Sequence, residues 1–409
     1  MHNQLNNSLS IFAYWKKCIS YALFPVISLV IYMSLRSSEL FAAEDIASNY
    51  FWHPAYTGWY DLLLACSILL SFIFGIIRLE KDTLIFILTL ATIIILSLIS
   101  KLDILGGQYV FDTLVYLVRF IVSFSLAKEL VSRLGTQTVE GLVILLFIVL
   151  AISAVLVYTL QFGINNRIYA ASMTAPSFGH LAATISLIAV IRNYKIILLI
   201  SSVFLFLTFS RTSIALLFIF LFAYSFNFSI ATRFKYYLIT TVITITVMYL
   251  FVQYGGDAFE DIIYSRTDIE EIYTLNARNE IWKSAVSIIT SGSVPLFGAG
   301  FIATPYLIEN ANLKFLTSEG WYVPPHFHSI IFEYILSLGI SSLLIFYYLF
   351  KRVWQTFNKK ECLTAFFIFA FFLCSQSLDF TLYRPKEIII TGILLGLAEG
   401  DWKTECNRN

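Results

Sequence analysis

The sequence predicts an all-α, polytopic membrane protein of about twelve transmembrane helices, with a large, partly helical loop between helices nine and ten. Three observations predict it. Charge is scarce: of 409 residues, 58% are hydrophobic and only 13% charged, and mean hydropathy is +0.79. A soluble domain is about a quarter charged, so too little polar surface remains here to cover a globule of this size in water. Apolar runs near the ~20 residues that a helix needs to cross the hydrocarbon layer recur along the chain. Finally, Lys and Arg collect in alternate connecting segments. The 38 Phe and 24 Tyr suit lipid-facing helices and interfacial belts. The net charge of +1 supplies no field for nucleic acid.

The candidate spans are 19–35, 60–77, 83–100, 110–127, 138–160, 177–191, 194–209, 212–229, 236–253, 328–350, 362–379 and 387–400. The first has Lys16 and Lys17 before it and Ala42-Ala43 after it, which resembles a signal peptide. Its length and the eleven spans that follow favour an uncleaved anchor.

With the N-terminus inside, the inner segments hold 16 cations, from Lys16 and Lys17 through Arg192, Lys195, Arg233, Lys235, Lys351 and Arg352 to Arg408. The outer segments hold ten, four of them in one long loop that weighs little in the rule. Both termini are therefore expected in the cytoplasm. The domain division follows: nine helices over 1–253, an outer loop over 254–327, and three helices with a short tail over 328–409. The loop is acidic, and its apolar content, including Trp282, Ile281 and Ile288, predicts that part of it folds. Residues 277–290 read as an amphipathic helix, with Asn276 as N-cap and Gly292 as stop.

Three outward positions carry residues suited to chemistry. Ser210-Arg211 lies between spans seven and eight, with Arg211 at a helix N-terminus where unpaired N–H groups and the dipole favour an anion. A snorkelling interfacial arginine is the other reading. Arg278 opens the loop helix, an unfavourable place for a cation; it is either held there by a partner or simply solvated. Pro324-Pro325-His326-Phe327-His328-Ser329 opens span ten. The helix dipole there disfavours imidazolium, so His328 is expected as a neutral proton acceptor, with His326 as rival for the role and an idle interfacial histidine as the alternative. Arg119 and Glu333 lie inside spans, where charge is expensive and is either functional or paired. Asp379, at the outer end of span eleven, reads as interfacial. Cys18, Cys66, Cys362, Cys374 and Cys406 have no metal-like spacing, so neither a disulfide framework nor a zinc site is expected.

Taken in order, Ser210-Arg211 after an apolar span, then Arg278, Trp282, Pro295 and Gly298-x-Gly300, then His328-Ser329 followed after nine residues by Gly339, resemble the O-antigen ligase and polymerase superfamily of bacterial inner-membrane glycosyltransferases. Gly163, Arg167, Pro176 and Gly179 resemble an upstream segment of it. The resemblance covers about residues 165–345, and the N-terminal third adds only topology. His328-Ser329 departs from the His-Asn of many members.

The resemblance implies transfer of a glycan from undecaprenyl pyrophosphate to an acceptor hydroxyl, without metal or other cofactor, at a site facing the periplasm. It implies His328 as base and Arg211 and Arg278 as pyrophosphate ligands, with Arg167, His326, Ser210 and Glu333 as secondary candidates. Expected partners are the lipid-linked glycan, membrane lipid, a chain-length regulator and a flippase. Polymerisation of repeat units is favoured, because polymerases are numerous and their sequences diverse. Ligation to lipid A-core shares the motifs. A non-catalytic transporter or lipid-linked glycan flippase is the reading from another class; it would more often show broken mid-membrane helices and inverted repeats.

Overall fold

The structure is a computed structural model that describes residues 81–99, 102–160, 175–225 and 278–406, apart from 293, 295, 302–303, 305–306, 309–312, 314, 318–319, 323–325, 358, 360–361, 381 and 383–384. Among these residues the architecture is helical, with one antiparallel hairpin, β1 (Phe315–Thr317) and β2 (Gly320–Tyr322), in which Leu316 pairs with Trp321.

The N-terminal part of the described chain runs through α1 (Lys81–Ile99), α2 (Leu102–Leu134), α3 (Thr136–Leu160), α4 (Ala175–Arg192), α5 (Lys195–Leu207) and α6 (Arg211–Ser225). The later part holds α7 (Arg278–Thr290), α8 (Ile330–Leu338), α9 (Ser342–Phe357), α10 (Leu363–Leu378) and α11 (Pro385–Asp401). The 3₁₀ turn Gly339–Ser341 joins α8 to α9 in one 28-residue apolar stretch.

Among the described residues, three helices are long and apolar enough to cross a membrane, at Thr136–Val155, Ala175–Arg192 and Ile330–Phe357. Shorter apolar helices occupy Leu84–Ile99, Lys195–Leu207, Arg211–Ser225 and Leu363–Leu378. The expected count of about twelve is not reached on this ground, and spans 19–35, 60–77 and 236–253 lie outside the described residues. Span 110–127 is the middle of the 33-residue α2; hydropathy finds only the apolar centre, while the helix continues through polar residues at both ends. The 13 residues of α5 extend about 20 Å, less than the ~30 Å hydrocarbon layer.

Packing follows side-chain size. In α4, residues from Ala175 to Ala189 are almost all buried, as expected of a helix apolar around its whole circumference. Along α11, Gly392, Gly396 and Gly400 recur every fourth residue and face α2. A Cβ at Gly396 would lie 2.3 Å from the Phe124 carbonyl oxygen, and one at Gly400 2.6 Å from Val131 Cβ. The two backbones touch because these side chains are missing.

Buried charge at one end of the bundle is paired. Glu140 accepts from Arg192 Nε at 2.8 Å and Nη2 at 2.9 Å, and from Thr364 at 3.0 Å. Asp401 accepts from Thr136 at 2.9 Å and from the Ala365 N–H at 3.2 Å. Arg352 pairs with Glu399 and stacks on Trp402 at 3.7 Å. Cys362 is disulfide-bonded, which corrects the expectation that the cysteines form no disulfide. The fold also returns the end of α11 to the start of α10, as the Asp401–Ala365 bond shows, a proximity that spacing along the chain does not reveal.

The loop helix forms where expected. α7 spans Arg278–Thr290, buries Ile281 and Ala285, and ends at Gly292 with φ +71°. Its expected cap, Asn276, lies outside the described residues.

Candidate active site

The site is assembled at the end of the bundle opposite the Glu140 and Asp401 pairs. The turn before α8 supplies the histidines. Phe327 is fully buried and pinned from both sides: its N–H donates to Glu333 of α8, and its carbonyl accepts the Trp282 indole N–H at 3.0 Å. Glu333 also accepts from Thr304. This intramembrane carboxylate, 1% exposed, therefore holds the turn together. His328 has φ +55°, a left-handed conformation that costs a non-glycine residue roughly 1–2 kcal/mol. Ser329 caps α8 in an extended conformation.

Asp379, one residue past α10, gathers the rest. Its Oδ2 lies 3.2 Å from Arg278 Nη2, and its Oδ1 lies 3.6 Å from His328 Nδ1. Arg278 Nη1 donates to the Leu378 carbonyl at 2.7 Å. The partner that a first-turn cation requires is thus the end of α10, where a carboxylate and a helix C-terminal carbonyl both favour positive charge. Burial disfavours the Asp379 carboxylate, but Arg278 and His328 outweigh it and hold the group well below the ordinary carboxylate range. Asp379 is ionised at physiological pH. The 3.6 Å contact is longer than a hydrogen bond.

The Arg211 turn is buried beneath. Thr208, Ser210 and Ser213 are all nearly inaccessible, and Phe209 turns the chain with φ +49°. Ser210 Oγ lies 2.7 Å from Ser213 Oγ, which lies 2.8 Å from His180 Nδ1 on α4. His180 is within electrostatic reach of Asp379 and Arg278. Gly179 admits this turn: a Cβ there would be 2.7 Å from Ser210 Cβ. Arg211 itself begins α6, half-buried.

The structure brings Arg278, His326, His328 and Glu333 into one cluster and sets Ser210 within a hydroxyl–imidazole chain leading toward it. Arg167 lies outside the described residues. Two members escaped sequence reasoning. Asp379 read as interfacial because nothing in the sequence shows that Arg278 and His328 converge on it. His180 carried a signal, being an ionisable residue inside an apolar span. Among the described residues no group of three or more His, Cys, Asp or Glu is arranged to hold a metal ion.

The glycines of the sequence pattern have a structural task. The 296–300 strap lies along the end of α8, with the Ala299 and Gly300 N–H groups donating to the Leu336 and Ser337 carbonyls at 2.8 and 3.1 Å, and Ile340 N–H to the Leu296 carbonyl at 3.0 Å. Gly298 and Gly339 have φ of +83° and +59°. A Cβ on either would lie within 2.2 Å of the opposing backbone.

The model of the O-antigen ligase family matches residues 196–347, which run from α5 into α9 and include Arg211, Arg278, His328 and the glycine strap. No curated protein matches the chain. Residues 196–347 are thus similar to the O-antigen ligase family, in a chain whose described residues include helices long and apolar enough to cross a membrane.

Proposed function

We propose that the protein is a polymerase of undecaprenyl-pyrophosphate-linked oligosaccharide repeat units, acting in the synthesis of a surface polysaccharide such as O-antigen, capsule or exopolysaccharide. The carrying observation is the Asp379 carboxylate, which brings Arg278 and His328 to one point. Asp379 beside Nδ1 favours a proton on that nitrogen, which leaves Nε2 of His328 to accept one. The acceptor hydroxyl gives its proton to Nε2 as its oxygen bonds to the anomeric carbon of the donor sugar. The bond from that carbon to the pyrophosphate oxygen breaks, and undecaprenyl pyrophosphate leaves. Arg278 uses two nitrogens on Asp379 and Leu378, and its fork retains N–H donors for phosphate oxygens. Arg211 at the start of α6 is the second phosphate ligand. Transfer without a metal ion belongs to this proposal.

We place the protein in the bacterial inner membrane, both termini cytoplasmic, with the 254–327 loop and the site facing the periplasm. Support comes from charge: Lys128, Arg133, Arg192, Arg352 and Lys403 lie at the end of the bundle away from Asp379, as the positive-inside rule requires of a cytoplasmic end. A small apolar cleft lined by Phe86, Tyr116, Phe120, Phe124, Phe301 and Tyr334 among others gives the bundle an apolar inner face.

The description of the matching family favours a second reading, ligation of the finished glycan to lipid A-core. Deleting the gene separates the two. Core bearing a single repeat unit establishes the polymerase; long chains retained on undecaprenyl pyrophosphate establish the ligase. Loss of a secreted polymer with normal lipopolysaccharide places the polymerase in an exopolysaccharide pathway. Normal product from both His328→Ala and Arg278→Ala would sink the catalytic reading and leave a transporter.

A further inference from the structure

The proposed chemistry leaves His326 without a task, although it sits against the base. With Phe327 fixed by Glu333 on one side and Trp282 on the other, the chain folds His326 and His328 onto the same side of the turn. The His328 backbone N–H donates to His326 Nδ1 at 3.0 Å, and the two ring centroids are 4.1 Å apart. The His326 ring is backed by Phe380, the residue after Asp379, at 6.0 Å in an edge-on contact. A ring nitrogen that accepts a hydrogen bond carries no proton. The bond to His328 N–H therefore exists only while His326 is neutral and protonated on Nε2.

We infer that His326 is a positioning residue: its neutral imidazole holds His328 in the left-handed turn that presents the ring to Asp379, and protonation of His326 releases that turn. The inference rests on the reading of His328 as the base. Its logic is that of an Asx turn, in which a side-chain acceptor takes the N–H two residues on, with imidazole in place of a carboxamide. That substitution makes the turn dependent on pH. His328 is in direct contact with His326; one contact further away lie Glu333 of α8, through Phe327, and Asp379 past α10 with its partner Arg278 of α7, through His328. Two imidazoles must then be neutral for turnover, one to accept the substrate proton and one to hold the first in place.

The test uses full-length purified protein and, as substrate, the polyprenyl-pyrophosphate-linked oligosaccharide extracted from a host that lacks the gene. H326N places a carboxamide oxygen where Nδ1 accepts but does not titrate; H326A removes the acceptor. We expect H326N to keep kcat within several-fold of wild type and H326A to lose at least ten-fold in kcat with little change in KM. The acid limb of log kcat against pH should fall with two protons in wild type and with one in H326N. Full activity in H326A, equal loss in H326N and H326A, or acid limbs of equal slope would each overturn the inference. H328A separates this failure from that of the underlying reading: an inactive H328A leaves the base in place while the His326 variants decide, and an active H328A overturns both.

Discussion

The Arg278 guanidinium on α7 meets the Asp379 carboxylate just beyond α10 at 3.2 Å, with side chains only 18% and 8% exposed. This pair docks the loop helix onto the helical bundle. Because the same carboxylate faces His328, the docking and the surroundings of the proposed base depend on one residue.

Asp379→Asn is therefore expected to lower turnover by about 10²–10⁴-fold, the range associated with impaired acid–base assistance. The amide keeps the shape but loses the charge that orients His328 and holds Arg278. Membrane levels should stay near normal. Unchanged polymer length distribution in a complemented deletion strain would remove Asp379 from the site.

Arg278→Lys tests geometry apart from charge. One ammonium cannot reproduce the fork that reaches Asp379 and the Leu378 carbonyl together and still offers donors to phosphate. The expected result is at least a ten-fold loss of kcat/KM, less severe than in Arg278→Ala. Equal activity of Lys and Arg at this position would show that a point charge suffices.

The glycine strap ties residues 296–300 to α8, the helix that the His328 turn opens. Gly339→Ala and Gly298→Ala each put a methyl group into opposing backbone at a positive φ. Both should sharply reduce product, and limited proteolysis of the purified protein should cut the 291–301 region faster than in wild type. Wild-type proteolysis together with full activity would show that the strap is dispensable.

Along α11, Gly396→Leu should lower the amount of folded protein recovered from membranes, since its side chain must enter the Phe124 backbone. Gly141→Ala is the control, because its Cβ meets nothing within 4 Å; a helical alanine there should be neutral or stabilising by about 0.5–1 kcal/mol. Thermal unfolding in detergent, followed by fluorescence, distinguishes them. Equal midpoints would mean that α2 and α11 are not held by the glycine stripe.

Local regularities determined much of this protein from sequence alone. Apolar runs located α1, α3, α4, α5, α6, α10 and α11 to within a few residues, because burial in lipid or core acts on each window of chain separately. Period and stop signals located α7 within the long loop for the same reason. Arg211, Arg278 and His328 were legible as candidates because each stands where a helix terminus gives its charge an electrostatic consequence. The tertiary structure decided which residues come together. Asp379 became the centre of the site because α7, α8 and α10 converge there. Glu333 became the anchor of the histidine turn, and Gly298 and Gly339 became a strap rather than part of the chemistry. Cys362 found a disulfide partner. Glu333 holds Phe327 six residues away, but Trp282, Asp379 and the glycine strap act between segments tens of residues apart, and such proximity is a property of the folded packing that no window of the chain contains.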